Sequence, residues 1–291
     1  LEKAVRSAEA NFGASHPTTS VSYSTLGLVI QDLGDYEAAK SLLEKALSLD
    51  RANFGDDHPT TVASYSNLAT VFKDLGDLKK AKKLSEKAMR LSEVNFGEGH
   101  PYTTICYSNL GLVLKDLGEL NEARKLLEKA LRLAEANFGE NHPDLVARNS
   151  NLAIVLKAEG DYIGAKSQLV KAMRLAEAIF GELHPYTSKT YSNLATVLQD
   201  LGDLGSAKNL LKKAIRLDVL SLGEGHPTIA IRYSNLATVL RDLRDYSEAK
   251  VLFEKAYNIY KNQLGPEHPH SKVVENHLSN INELIAQNPP D

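Results

Sequence analysis

Apolar residues recur along the chain at intervals of three and four, the spacing of an α-helix. In the segment 60–75 they stand at Tyr65, Leu68, Ala69, Phe72 and Leu75. This spacing places them on one face of a helix, which we call helix A. A second helical pattern, helix B, runs from about Leu78 to Asn95 and carries apolar residues at Ala81, Leu84 and Ala88.

Punctuating residues separate these two predicted helices. Gly76 stands where a left-handed residue can end helix A without a steric penalty, and Asp77 is a suitable N-cap for helix B. Phe96-Gly97 is predicted to end helix B, and a Gly-x-x-His-Pro loop then leads into the next helix A. Proline is tolerated there because a first-turn N–H has no helical partner.

This unit recurs with a fixed period along the whole chain. His-Pro pairs begin at 16, 58, 100, 142, 184, 226 and 268, each 42 residues after the one before. Each pair is preceded by Phe-Gly or Leu-Gly, which begins four residues before the histidine. A fixed period of this size predicts a repeat array in which each unit covers the apolar face of the next.

The period predicts a single solenoid over residues 1–287. A partial helix B spans 1–15, and six full repeats span 16–57, 58–99, 100–141, 142–183, 184–225 and 226–267. A C-terminal capping helix spans 268–287, and 288–291 form a tail. The chain opens at Leu1, without a methionine and within a repeat, so we expect it to be a fragment of a longer protein.

The repeats resemble tetratricopeptide repeats. The residues that carry the resemblance in one unit are Tyr65, Leu68, Ala69, Phe72, Gly76, Ala81 and Ala88. The 42-residue period, the Asn-Leu-Ala tripeptide and the Leu/Phe-Gly-x-x-His-Pro loop are similar to the kinesin-light-chain-like subfamily. The resemblance implies an all-α, right-handed superhelical solenoid of antiparallel helix pairs. It also implies that helices A line a concave groove that receives an extended peptide.

Few positions depart from the repeat pattern. Asn149 replaces the tyrosine, Leu222 and Leu264 replace the phenylalanine, and Arg244 replaces the glycine at the turn between helices A and B. A non-glycine residue in a left-handed conformation costs roughly 1–2 kcal/mol. The turn at Arg244 is therefore expected to be either strained or differently shaped.

The predicted ligand contacts lie on the polar stripe of helix A, opposite its apolar face. The serines of this stripe include Ser66, Ser108, Ser150 and Ser192. The asparagines are Asn67, Asn109, Asn151, Asn193 and Asn235. An amide both donates and accepts hydrogen bonds, so a row of amides can bind the backbone of an extended peptide. The alternative is that each asparagine bonds a neighbouring helix or water.

Lysines beside this stripe are further candidate contacts, at Lys73, Lys115 and Lys157. Aspartates follow Lys73 and Lys115, and these adjacent opposite charges should largely cancel. Ala158 stands in place of the aspartate after Lys157. The fourth repeat is therefore expected to be locally basic and to favour an acidic ligand side chain, although each lysine could equally be solvated surface.

Composition argues against several other functions. The net charge of −3 gives no broad attraction to nucleic acid, and the lysine ladder of helix B is interleaved with glutamates. No apolar run is long enough to span a membrane, which favours a cytoplasmic protein. Cys106 is the single cysteine and is expected to be buried. The histidines lie in separate loops, too far apart to share a metal ion.

These observations favour a non-catalytic scaffold that binds a protein or peptide segment, needs no cofactor or metal, and binds neither nucleic acid nor membrane. No phosphate-binding loop or nucleophile motif occurs in the sequence. One alternative is a sensor or regulatory arm of a larger signalling protein, such as an NTPase switch. Another is an artificial repeat protein, which the uneven substitutions at Asn149 and Arg244 disfavour. The sequence predicts no particular oligomeric state.

Overall fold

The computed structural model describes residues 2–287, and every regular element within them is an α-helix. The helices are α1 (Glu2–Phe12), α2 (Pro17–Asp32), α3 (Tyr36–Phe54), α4 (Pro59–Asp74), α5 (Leu78–Phe96), α6 (Pro101–Asp116), α7 (Leu120–Phe138), α8 (Pro143–Ala158), α9 (Tyr162–Phe180), α10 (Pro185–Asp200), α11 (Leu204–Leu222), α12 (Pro227–Asp242), α13 (Tyr246–Leu264) and α14 (Pro269–Gln287). Even-numbered helices are helices A, and odd-numbered helices are helices B. Leu1 and the predicted tail 288–291 lie outside the described residues.

The repeated histidine caps the start of each helix A. In α4, Nδ1 of His58 accepts a hydrogen bond from the backbone N–H of Thr60 at 3.3 Å. The His58 ring also stacks on the ring of Phe54, with 4.5 Å between the ring centroids. The cap satisfies a first-turn N–H that has no helical partner. The histidine therefore joins the end of one helix B to the start of the next helix A.

The turn from helix A to helix B follows the prediction from the sequence. Gly76 has φ +80°, and Asp77 accepts a hydrogen bond from the Lys80 N–H as the N-cap of α5. Arg244 adopts the same left-handed conformation, with φ +63°. Among the described residues it is the only non-glycine residue in this conformation. The strained alternative at this turn is therefore the correct one.

Small residues allow the two helices of each repeat to pack closely. Fully buried alanines recur on helix B at Ala39, Ala81, Ala123, Ala165, Ala207 and Ala249. Cys106 is also buried, as predicted. Because an alanine side chain is a single methyl group, the helix axes can approach closely while the interior stays well packed. The helices B from α3 to α13 each pack against the helix A of their own repeat.

The helices form two compact units, Leu1–Glu140 and Asn141–Asp291. Within each unit consecutive helices pack against each other, and neighbouring helices A also touch, as α2 with α4 and α10 with α12 do. Helices A therefore form the more closely packed side of each unit. The continuity of a single solenoid over 1–287 stays a prediction.

The last described helix, α14, buries few of its side chains. Ser271, Val274 and Ile281 are its buried residues, while polar residues such as Glu275 and Asn282 are exposed.

None of the helices in the described range is both long and apolar enough to pass through a lipid bilayer.

Candidate binding face

The predicted asparagine row is half-buried and partly bonded within the protein. Nδ2 of Asn109 donates to Oγ of Ser66 at 2.9 Å. Asn67 bonds Ser24 in the same way, and Asn235 bonds Ser192, both at 3.2 Å. Each bond links neighbouring helices A, which is the alternative role considered for the asparagines. It uses one N–H of the amide and leaves the carbonyl oxygen and the second N–H outside that bond.

The predicted serine row is less accessible than the asparagine row. Ser66, Ser108 and Ser192 are buried, whereas Ser150 is half-buried and donates to the carbonyl oxygen of Val146 at 2.7 Å. Three of the four serines therefore support neighbouring side chains more readily than they could contact a ligand. Their role as direct ligand contacts stays a prediction that the structure makes less favourable.

Exposed aliphatic residues flank the asparagine row on helix A. We call this surface the A face. It comprises the asparagine positions, with Thr25 in place of the asparagine in the first repeat, and the positions four before and three after each of them. Its exposed aliphatic members are Val21, Leu28, Ile105, Ile154 and Ile231. Aliphatic side chains that repeat along one polar face are typical of a surface that a partner covers. The A face thus combines amides with apolar contact area in both units.

Three of the predicted site residues lie together in the second unit. Ser150, Asn151 and Asn193 line a cavity of about 110 Å³ between α8 and α10. Tyr186 and Lys189 line the same cavity, and both side chains are exposed. The sequence prediction did not include these two residues, because no other repeat has a lysine at the position of Lys189 and only Tyr102 repeats the tyrosine at the position of Tyr186.

The predicted lysines are engaged in ion pairs. Lys73 pairs with Asp74 at 3.2 Å and Lys115 with Asp116 at 2.5 Å, as predicted from their adjacent charges. Lys157 pairs with Asp200 of the next repeat at 2.8 Å. The expectation of a basic patch around Lys157 is therefore wrong, because the missing aspartate at position 158 is replaced by one from the neighbouring helix A.

The lysine ladder of helix B forms part of the packing between repeats. Nζ of Lys129 lies 4.3 Å from the ring centroid of Tyr107, and its closest glutamate oxygen, on Glu98, is 3.2 Å away. The Tyr107 hydroxyl donates to Glu93 of the preceding repeat at 2.5 Å. Similar lysine–tyrosine contacts recur at Lys45, Lys87, Lys213 and Lys255.

This packing changes the ionisation of the tyrosines. Burial, followed by the hydrogen bond to Glu93, raises the pKa of Tyr107 to about 12. The neutral phenol is therefore the stable form, and it can donate its proton to the carboxylate. The tyrosines act in packing, as the repeat pattern indicates, but their hydroxyl partners could not be read from the sequence.

Two buried aspartates on helix B were missed in the sequence. Asp50 is 2 % exposed and accepts from Ser20 at 2.6 Å and from Ser64 at 2.5 Å. Asp218 is fully buried and accepts from Ser188 and from Nε of Arg232, the latter at 3.0 Å. The available signal was the appearance of aspartate at a repeat position that otherwise holds Ser92, Ala134, Ala176 and Tyr260.

Comparison with known proteins agrees with this architecture. A tetratricopeptide repeat family model matches residues 1–52, 18–93, 66–136, 103–162 and 144–218, and a second one matches 229–270. A search of curated proteins finds no significant match.

Solved structures share the fold at low sequence identity. One is the crystal structure named for the “kinesin light chain nearly identical TPR-like repeats” of Podosopora anserina. Its sequence is 23% identical to this chain, the TM-score is 0.56, and the match covers 71% of this chain and 98% of that one. BtubC (BKLC) from P. vanneervenii is 22% identical, with a TM-score of 0.61, over 80% of this chain and 92% of that one. With the family models matching most of the sequence, the chain belongs to the tetratricopeptide repeat family.

Proposed function

We propose that this protein is a non-catalytic interaction module whose A face binds an extended segment of a partner protein. The observation that carries the proposal is the recurrence, in both units, of a half-buried asparagine beside an exposed aliphatic residue, as at Asn109 with Ile105 and at Asn151 with Ile154. Tetratricopeptide repeats are typically protein-interaction scaffolds and are generally non-catalytic. Neither the family nor the fold specifies the partner.

The chemistry of the A face suits an extended backbone. An asparagine held by its bond to the serine of the preceding repeat, as Asn109 is by Ser66, has a fixed orientation, so little entropy is lost when it binds a peptide group. Its carbonyl oxygen and second N–H match the donor and acceptor of a peptide unit. Aliphatic residues such as Ile105 would then cover alternate side chains of the ligand.

A peptide array is the direct test, because the partner is unidentified. Peptides retained by the protein would be measured again with the double variant Asn67→Ala/Asn109→Ala, which removes two adjacent amides. The loss of two neutral hydrogen bonds, each worth about 0.5–1.5 kcal/mol, should weaken binding by about 5- to 150-fold.

A matched control separates peptide contact from repeat packing. Ser66→Ala removes the intramolecular partner of Asn109 but keeps the amide, so it costs only the fixed orientation of that amide and should weaken peptide binding clearly less than the double variant does. Equal losses in both variants, or no loss in the double variant, would place the binding site elsewhere.

A further inference from the structure

The first unit contains a cavity whose wall includes a buried carboxylate. It lies between α2 and α4, has a volume of about 110 Å³, and is lined by Asp50 together with Ser20, Ser64 and Asn67. This volume is several times the roughly 30 Å³ that one water molecule occupies in the liquid. Val21 and Thr25, which are exposed on the A face, also line it, so the cavity opens onto the proposed binding surface.

Asp50 has no cationic partner within the described part of the chain. Both of its recorded hydrogen bonds come from neutral hydroxyl groups, one on each carboxylate oxygen. A carboxylate can accept about four hydrogen bonds, so these two leave acceptor capacity unused. A buried charge is costly unless a countercharge compensates it. The cavity beside Asp50 is therefore electrostatically suited to a positive group.

A second site in the same chain shows how this fold accommodates that group. Asp218, Ser188 and Arg232 occupy the repeat positions of Asp50, Ser20 and Ser64, each 168 residues further along. In the first site Ser20 donates to Oδ1 of Asp50, and in the second site Ser188 donates to Oδ1 of Asp218. At Oδ2 the donor is the Ser64 hydroxyl in the first unit and Nε of Arg232 in the second.

Because Ser64 stands where the second site has Arg232, the first site lacks the positive charge and contains an open volume. Arg232 is only 5% exposed, which shows that the interior beside such an aspartate can enclose a guanidinium group. In the first unit Ser64 is too short to supply one, and no other described cation pairs with Asp50.

We propose that the cavity beside Asp50 binds the guanidinium group of an arginine side chain carried by the bound partner segment. This inference rests on the proposed function, because the arginine would enter from the A face. Arginine suits the site better than lysine, since its planar fork can bond a carboxylate while other N–H groups reach hydroxyl and amide oxygens. Ser24 and Asn67, at the cavity wall, offer such oxygens.

The test uses a small probe instead of the unidentified partner. N-acetyl-arginine amide is titrated into the full chain while backbone amide NMR shifts around Ser20, Ser64 and Asn67 are followed. N-acetyl-citrulline amide has nearly the same shape but no charge, and we expect it to bind at least about tenfold more weakly. Equal shifts with both probes, or shifts with calcium chloride alone, would overturn the proposal.

Two variants locate the site. Asp50→Asn keeps the shape but removes the charge, so it should abolish the preference for arginine over citrulline. Ser64→Arg reproduces the second site and should fill the cavity from within, which abolishes probe binding. If Ser64→Arg still binds the arginine probe with unchanged affinity, the cavity is not the site.

The converse variant provides a gain of binding. Arg232→Ser should open a corresponding cavity beside Asp218 and create a second arginine site, detected as new shifts around Ser188 and as thermal stabilisation by the probe. The absence of both effects in a folded Arg232→Ser variant would contradict the proposal.

The failures of the two proposals can be told apart. If the array yields peptides that depend on Asn67 and Asn109 but the arginine probe does not bind, only the cavity assignment fails. If the probe binds at Asp50 but no peptide is retained, the proposed binding face fails.

Discussion

The turn at Arg244 offers a direct test of how backbone conformation sets the stability of this repeat array. Arg244 occupies the left-handed position, with φ +63°, that glycine occupies in the other turns, such as Gly202 with φ +80°. Its side chain is exposed and forms no recorded ion pair within residues 2–287. Arg244→Gly should therefore act almost entirely through the backbone.

The expected gain follows from two opposing effects. Removing a left-handed non-glycine residue recovers roughly 1–2 kcal/mol. Glycine in turn costs roughly 0.5–1 kcal/mol through the greater freedom of the unfolded chain. The net expectation is that Arg244→Gly raises the free energy of unfolding by about 0.5–1 kcal/mol, because the strain exceeds the entropy.

Gly202→Arg is the matched reverse change. A Cβ atom at Gly202 would meet no other atom within 4 Å, so any loss comes from the backbone and not from a clash. We expect this variant to lose about 0.5–1 kcal/mol. Urea denaturation followed by circular dichroism measures both changes. A loss of stability in Arg244→Gly, or none in Gly202→Arg, would refute the reasoning.

Three further predictions concern single side chains and are measured in the same unfolding assay. Tyr107→Phe removes a hydrogen bond to a carboxylate and should cost about 1.5–3 kcal/mol of unfolding free energy. The hydroxyl of Tyr233 makes no recorded hydrogen bond within residues 2–287, so Tyr233→Phe should cost little. Similar losses in the two variants would contradict this prediction. His184→Ala removes the N-cap of α10 and should lower the free energy of unfolding by about 0.5–2 kcal/mol. His184→Asn retains a hydrogen-bond acceptor at the cap and should cost less. A larger loss in His184→Asn than in His184→Ala would exclude the capping role. Burial lowers the pKa of His277 below 6.5, so the unfolded chain binds the proton more tightly than the folded chain. Stability should therefore be complete above pH 6.5 and decline as the pH falls below it, and His277→Gln should reduce that decline; an unchanged pH dependence would show that His277 does not contribute.

Sequence reasoning was accurate for features that depend on a few adjacent residues. The turn at Gly76 and Asp77 and the end of helix B at Phe96 follow from local backbone preferences. The sequence left open whether the turn at Arg244 is strained or differently shaped, and the structure shows the strained, left-handed form. The role of histidine was only half predicted. Its place in the loop was evident, but its action as an N-cap requires the ring to turn back onto the next helix.

The identity of the side-chain partners was decided by the tertiary structure. Asn109 and Ser66 are 43 residues apart in the chain, and Lys157 and Asp200 are equally distant, yet each pair is in direct contact. Helical periodicity identifies the face on which each residue lies, but not the distance between residues on neighbouring helices. That distance depends on how closely the helices pack and at what angle.

The sequence by itself determined the repeat, the helices and the aspartate caps of helices B, because these depend on local periodicity and backbone conformation. Only the tertiary structure showed that Asn67, Asn109 and Asn235 already bond serines, that Lys157 has an aspartate partner, and that Asp50 borders an open cavity. The physical reason is that hydrogen bonds and ion pairs act over a few ångströms, and only the packed helices bring such distant residues within that range.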